Sequence, residues 1–381
     1  MVLPAGQDHY AALTCEAGDY LMVNKLSIQN FRCFKSVEME NLKRVNILLG
    51  DSASGKTALL EAIKMGLDGL PSGVPWFFQV RNLILTFPSP PSQSQFESVF
   101  ADFFYQSDTR NKIQFSMVDS EEKVARLLIY FDPARAVTTQ PQPIGFQPSI
   151  APHGSSVTIV PLAFDRTDFH GHTDVLLATV NAQGGLELQQ GKNMGLTSGL
   201  VAGSQFGGPG EAAQWLSQLN IQKRGEQFVE RFRTHFPVIH KLSSEMPVPG
   251  VPAIYADVDL QRMIPLTLVS AGASRILFMM LALAQFSGGV VLIDELENGV
   301  FYEQYPLVWD TLVDLSRTNN TQLFISSHSR ECLEQAAPVI SQFPDDFSLL
   351  KLRLENGESF VEQYNGSELG AALQKRGEIR H

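Results

Sequence analysis

At 381 residues and 44% hydrophobic content, the chain is long enough for one large α/β domain with insertions or for two domains, and its composition excludes a disordered protein. A formal charge of −11 excludes a surface broadly attractive to nucleic acid, and no run of about 18 apolar residues offers a membrane span. Cys15, Cys33 and Cys332 are scattered without C-x-x-C spacing, which argues against a zinc site or a disulfide framework. With no basic-then-apolar leader at the N-terminus, a reducing cytoplasm is the expected location.

In chain order, residues 1–22 read as an extension, and Val23 to Phe31 alternates apolar and polar residues as an edge strand would. Arg44 to Leu49 is a short apolar run that predicts a buried strand, and Ala58 to Met65 carries apolar residues at helical spacing. Pro71 to Pro91, rich in Pro, Gly and Ser, reads as loop with one short apolar piece. Lys112 to Met117 and Val124 to Phe131 predict two antiparallel strands joined by a charged turn, which closes a first unit at residue 132. Residues 133–211 read as an insertion. It holds a Pro- and Gln-rich excursion, strands at Val157 to Phe164, Val175 to Asn181 and Leu186 to Leu188, and a glycine-rich connector.

Residues 212–381 form the last unit. Ala212 to Phe236 is helical, and three Phe residues at four-residue spacing point to a packed face backed by a solvated basic one, in preference to a DNA contact. A buried helix over Ser274 to Ala284, a buried strand Val290 to Ile293, a helix Tyr305 to Arg317, a strand Gln322 to Ser326 and a short helix Arg330 to Ala336 follow. Strands alternating with helices at this spacing predict a largely parallel sheet with helices on both faces.

Between the strand ending at Leu49 and the next helix stands Gly50-Asp51-Ser52-Ala53-Ser54-Gly55-Lys56-Thr57, which fits G-x-x-x-x-G-K-[ST]. Strand, tight loop and helix are the context that makes this pattern a phosphate site. Inward-facing amides of the loop form an anion nest, and the helix start at Ala58 adds its positive dipole end. Lys56 is expected to reach the terminal phosphates of a nucleotide and the Thr57 hydroxyl to ligate Mg2+.

Three more pieces follow. Val290 to Ile293 ends in Asp294-Glu295, carboxylates suited to a Mg2+ shell and to a base for an attacking water. Gln322 to Ser326 ends in Ser327-His328-Ser329, where His328 could bond a γ-phosphate. Val269-Ser270-Ala271-Gly272-Ala273-Ser274-Arg275 is a small-residue loop before an apolar helix. It is either a plain helix cap on Ser270 or Ser274, or an incomplete second anion site. A further cluster, Asp165 to Asp174 with His170 and His172, reads as a polar turn in preference to a metal or nuclease centre.

In this order the pieces resemble the ABC-type ATPases. Ile28-Gln29-Asn30-Phe31-Arg32-Cys33-Phe34 looks like the "NFR-x-F" strand of the RecF/SMC-like branch. Ile293 to Gly299, Ser327 to Ser329 and the tail Arg376 to Arg380 are similar to the "IDE-x-ENG", "THS" and "G-x-EIR" runs of stand-alone, OLD-like AAA ATPases. The resemblance covers residues 23–66 and about 212–381. It departs from the family at Ser52, where an Asn is usual, at Ala273, where the family has an acidic or amide residue, and at Val300-Phe301-Tyr302. A Q-loop is not placed, with Gln79 the nearest candidate.

The resemblance implies an α/β P-loop NTPase fold: an ABC-ATPase-like head with a mostly parallel central sheet, an antiparallel β subdomain and a helical/loop insertion. It implies ATP and Mg2+ as cofactors, with ATP favoured over GTP, and hydrolysis through Glu295 and His328. The metal would sit on Thr57 and Asp294, and Arg32 would touch phosphate or ribose. Two copies would close head to tail, the phosphate loop of one facing Ser270, Gly272 and Ser274 of the other. A separate effector protein, among them a nuclease, or DNA or RNA would read the state, in DNA maintenance or antiviral defence, with no membrane partner. A fused Toprim nuclease is not expected, since 53 residues without an Asp-x-Asp pair follow His328. A transporter subunit is disfavoured by the "NFR" strand. A module that dimerises on ATP with little hydrolysis stays as the alternative.

Overall fold

The computed structural model describes residues 21–81, 83, 85–89, 91–139, 157–202, 209–355 and 358–374. Its centre is a six-stranded sheet in the order Ser198–Val201, Val290–Ile293, Gln322–Ser326, Val45–Gly50, Phe347–Glu355, Glu358–Asn365. Every neighbouring pair is parallel except the last, a hairpin. The three strands that carry the sequence motifs therefore lie side by side and run the same way. In register, Ile293 pairs Ile325 and Leu48 pairs Ser326, so all three motifs emerge at one edge of the sheet. The C-terminal edge of a parallel sheet is where such folds bind ligands.

Both faces of this sheet are covered, which is why its strands read as continuous apolar runs. Period-two alternation sends Val45, Ile47, Val291, Ile293, Leu323 and Ile325 into one core, shared with helices Pro209–Ile221, Ala271–Gln285 and Tyr305–Thr318. Leu48, Leu292 and Phe324 enter a second core, filled from helix Lys56–Asp68 and from an antiparallel sheet. Each such buried side chain contributes about 1.5–3 kcal/mol. The one polar residue inside the phosphate-loop strand, Asn46, is fully used: its amide donates to the Lys43 and Leu323 carbonyls and its oxygen accepts from Ser348.

The antiparallel sheet has seven strands in the order Leu186–Leu188, Thr173–Val180, Leu162–Thr167, Val124–Phe131, Ile113–Asp119, Val23–Phe31, Phe34–Met39. Strands from the 133–211 stretch thus pair with those before it in this sheet, and Ser198–Val201 pairs with the later half in the central one. A further sheet, Lys241–Val248, Val251–Asp257 and Ile264–Pro265, packs against helix Pro209–Ile221.

Several local expectations need correction. Val23–Phe31 is not an edge strand: it pairs on both sides, and Phe34–Met39 takes the edge after a turn in which Arg32 adopts φ 50°. The stretch 71–91 contains a helix, Gly73–Val80, whose Val74 and Phe77 are buried. Val157 to Phe164 divides into Val157–Ile159 and Leu162–Thr167, because Pro161 lacks the N–H that would continue a ladder. The helical run from Ala212 breaks into Pro209–Ile221 and Gly225–Arg233, with Lys223 at φ 60° between them. In the second of these Phe228 and Phe232 are buried, while Arg231 pairs with Asp314 and Arg233 with Glu230. Its basic face is spent on ion pairs. Most of the Pro- and Gln-rich excursion, most of the glycine-rich connector and the tail Arg376 to Arg380 lie outside the described residues.

One buried group gives the fold a pH dependence. His235 is 6% exposed, with Nε2 2.9 Å from Thr311 Oγ1. Burial, helped by nearby Arg231, pushes its imidazole down from 6.5 to about 4. The unfolded chain therefore binds a proton before the folded one does. The resulting stability is complete above about pH 6.5 and is lost as pH falls toward about 4, by roughly 3 kcal/mol. Calorimetry should find a melting temperature that drops between pH 7 and 4.5, and His235→Gln should flatten that drop. Parallel curves for the two proteins would assign the slope to other groups.

Candidate nucleotide-binding and hydrolysis site

The loop after the first central strand is shaped by its glycines. At Gly50 a Cβ would lie 2.5 Å from the Leu352 carbonyl oxygen, and at Gly55, with φ 102°, 2.9 Å from Cys33 Sγ. Asp51, Ser52 and Ala53 are exposed, and Ala53 takes φ 64°. Helix Lys56–Asp68 starts directly after Gly55 with no side-chain cap, so its positive end is left to an anion, with Ala58 in its first turn. Lys56, only 4% exposed, curls over the loop and donates to the carbonyls of Gly50 (2.7 Å) and Asp51 (2.8 Å). Burial lowers its ammonium, with Asp294 and Asp51 pulling the other way. Phosphate oxygens would be stronger partners for this cation than neutral carbonyls.

The adjacent strands complete a chain of contacts. Thr57 Oγ1 donates to Asp294 Oδ2 (2.9 Å), Ser326 Oγ donates to Asp294 Oδ1 (2.6 Å), and the Glu295 amide donates to Ser326 Oγ (2.8 Å). Glu295 turns out of its strand at φ 51°, a left-handed conformation that leaves its side chain 40% exposed. Its Oε1 lies 3.8 Å from His328 Nε2, whose imidazole is 38% exposed, and the His328 amide donates to Glu297 Oε1. Glu295 and His328 thus stand together at the ends of neighbouring strands.

A divalent cation fits this donor set. A hydroxyl and a carboxylate meet at 2.9 Å, and the buried Ser54 Oγ in the same loop has no hydrogen-bond partner. Hard oxygen donors of this kind suit Mg2+, which Thr57 and Asp294 would hold. When bound, such an ion supplies positive charge to the phosphate oxygens.

The remaining candidates are held by partners within the chain. Arg32 is committed to Glu61 at 2.6 Å, and its guanidinium lies 5.6 and 5.4 Å from the Phe31 and Phe103 ring centres. Glu61 is wholly buried and also takes a two-pronged contact from Arg81 (2.8 and 3.0 Å). Ser270 proves to be the cap of helix Ala271–Gln285, its Oγ accepting from the Ala273 amide, while Ser274 Oγ donates to the Ser270 carbonyl. At Gly272 a Cβ would sit 2.7 Å from the Gly299 carbonyl oxygen, so the small-residue loop packs on the loop that follows Glu295. The side chain of Gln79 lies outside the described residues. In the His170 and His172 turn, Asp168 ties the loop through both backbone amides and the His172 ring. Among the described residues no cluster of three metal-ligating side chains occurs.

A cavity of about 790 Å3 opens on Gly50, Asp51, Ser52 and His328. Its other wall carries Lys351 and Arg353, which sequence reading missed. Lys351 is level with Leu49 in register, and burial lowers its ammonium. The available signal was Asn356-Gly357 between two apolar-rich runs, the mark of a hairpin. None of Ser270, Gly272 or Ser274 is among the described residues lining this cavity.

Known proteins resemble this chain in several stretches. An AAA domain model matches residues 25–131, and an AAA ATPase domain model matches residues 213–333. An ATP/GTP phosphatase of Helicobacter pylori is 21% identical over 371 residues, 91% of this chain and 97% of that protein. The DNA replication and repair protein RecF of Oenococcus oeni is 44% identical over 43 residues, 11% of this chain and 12% of that protein. An SMC head solved with the C-terminal winged-helix domain of ScpA overlays at a TM-score of 0.48 and 14% identity, over 92% of this chain and 99% of the head. AAA-type ATPase models thus match both stretches that supply the motif-bearing strands of the central sheet, and the fold is that of a P-loop ATPase head. The likeness is to the ABC/SMC-like ATPases. Among the described residues no helix is long and apolar enough to cross a membrane.

Proposed function

We propose that this chain is an Mg2+-dependent, ATP-hydrolysing switch in which two copies sandwich ATP and a partner reads the closed state. The observation that carries the reading is the meeting of Thr57, Asp294, Ser326, Glu295 and His328 at the ends of three adjacent parallel strands. In hydrolysis, Glu295 takes a proton from water as its oxygen bonds to the γ-phosphorus. The bond to the β-phosphate oxygen breaks, leaving ADP and phosphate. Lys56 and the loop amides hold the phosphates in line, and His328 bonds the γ-phosphate.

Dimerisation is supported by the resemblance to ABC-type ATPases, in which the helix start at Ser270 to Ser274 would meet the nucleotide of an opposing copy. Donors from that copy would make closure depend on the γ-phosphate, and its loss on hydrolysis would reopen the pair. Likeness to the ATP/GTP phosphatase of Helicobacter pylori supports turnover in preference to binding alone. An effector protein or nucleic acid as the reader, and a cytoplasmic role in DNA maintenance or defence, rest on the likeness to RecF and OLD-like ATPases.

Phosphate release from ATP with Mg2+ tests the reading, with mass followed by light scattering and GTP as the comparison. Slow release with ATP-dependent doubling of mass is expected. A chain that stays single in ATP and Mg2+ and releases no phosphate would overturn it.

A further inference from the structure

Arg275 belongs to the helix that starts at the small-residue loop, one residue beyond Ser274, and it is 0% exposed. Its guanidinium donates to the main-chain carbonyls of Asp294 (2.6 Å) and Glu295 (3.0 Å), and on its other side to that of Ala202. Burial pulls this guanidinium down to about 10, so it stays charged at neutral pH. A wholly buried arginine is costly to desolvate, and a leucine would pack the same helix more cheaply. Its two carbonyl contacts fall on the turn where Glu295 is held at φ 51°, a conformation that persists only when its surroundings impose it. Ser326 Oγ pins that turn from the Glu295 amide, and Arg275 pins it from the carbonyls.

The same helix start is fixed to the site a second way, through Gly272 against the Gly299 carbonyl. The small-residue loop and the Glu295 turn are therefore one mechanical unit. We propose that Arg275 is a positioning residue that transmits engagement of the Ser270–Ser274 loop by an opposing copy to the Glu295 carboxylate of its own chain. This rests on the ATP-sandwich reading above. It adds that each half of the dimer tunes its own base according to whether its helix start has met the other copy's nucleotide.

Arg275→Lys keeps the charge but not the fork that braces the Asp294 and Glu295 carbonyls through Nη2 against the Ala202 carbonyl through Nη1, and Arg275→Gln removes the charge. Binding is carried by the Lys56 loop, so affinity for a fluorescent ATP analogue should stay within about threefold of wild type. The kcat should fall at least tenfold in Arg275→Lys and further in Arg275→Gln, with KM unchanged. A kcat within twofold of wild type in folded Arg275→Lys, or kcat and KM failing together, would overturn the assignment.

Hydrogen exchange of the unaltered chain gives a reading that needs no variant. With ATP and Mg2+, amides 271–276 and 294–298 should gain protection together, at one shared protein concentration. Protection of 294–298 at dilutions where 271–276 stay open would also sink it. Absence of hydrolysis by wild type would instead defeat the proposed function, whereas an active wild type matched by Arg275→Lys defeats only the role of Arg275.

Discussion

Lys56→Ala should abolish ATP binding while leaving a folded protein. The ammonium is buried at the end of a central strand, and its present partners are two main-chain carbonyls of its own loop. With triphosphate in the loop, the same cation would meet oxygens carrying full negative charge. Charge-assisted hydrogen bonds contribute about 1.5–3 kcal/mol each, so losing two corresponds to roughly a hundredfold or greater loss of affinity. Stability should change far less, because Ala suits a helix start and both carbonyls lie in a partly exposed loop. Titration of a fluorescent ATP analogue, beside thermal melts, measures both. A variant that binds within threefold of wild type would remove the loop from nucleotide recognition.

Glu295→Gln should trap the nucleotide-bound state. The amide keeps the size of the side chain and its place 3.8 Å from His328 Nε2, but it cannot accept the proton of an attacking water. General-base catalysis is worth about 10²–10⁴-fold, and phosphate release should fall by that order. Binding through Lys56, Thr57 and Asp294 is untouched, so closed dimer should accumulate. Light scattering should find doubled mass only when ATP and Mg2+ are both present. Turnover equal to wild type would mean that Glu295 is not the base. Loss of turnover without any ATP-dependent gain in mass would keep the base and set aside the dimer.

How much of this was legible varied with the length scale of the forces involved. The phosphate loop was readable because its chemistry is local: Gly50 and Gly55 tolerate close approach, and Lys56 and Thr57 follow at fixed offsets. The buried strands Val290–Ile293 and Gln322–Ser326 were readable because a strand covered on both faces is apolar throughout. Arg32 was a different matter. Its partner Glu61 sits 29 positions along the chain, inside a helix that looked like ordinary core, and an isolated carboxylate at helical spacing carries no sign of its partner. Helix Gly73–Val80 was hidden by flanking Pro, Gly and Ser residues that signal loop, although its buried Val74 and Phe77 hold it to the second core.

Sequence by itself determined the class of the protein and singled out the candidate residues of the phosphate loop and its neighbouring strands, because side-chain chemistry and strand-loop-helix order are properties of short segments. Only the tertiary structure decided their arrangement. Strand order brought Asp294 against Thr57 across 237 positions and set Lys351 beside the phosphate loop. It also turned Arg275 inward onto the backbone of Asp294 and Glu295. Parallel pairing is dictated by which apolar faces bury together over the whole chain, a sum over distant residues that no single window contains.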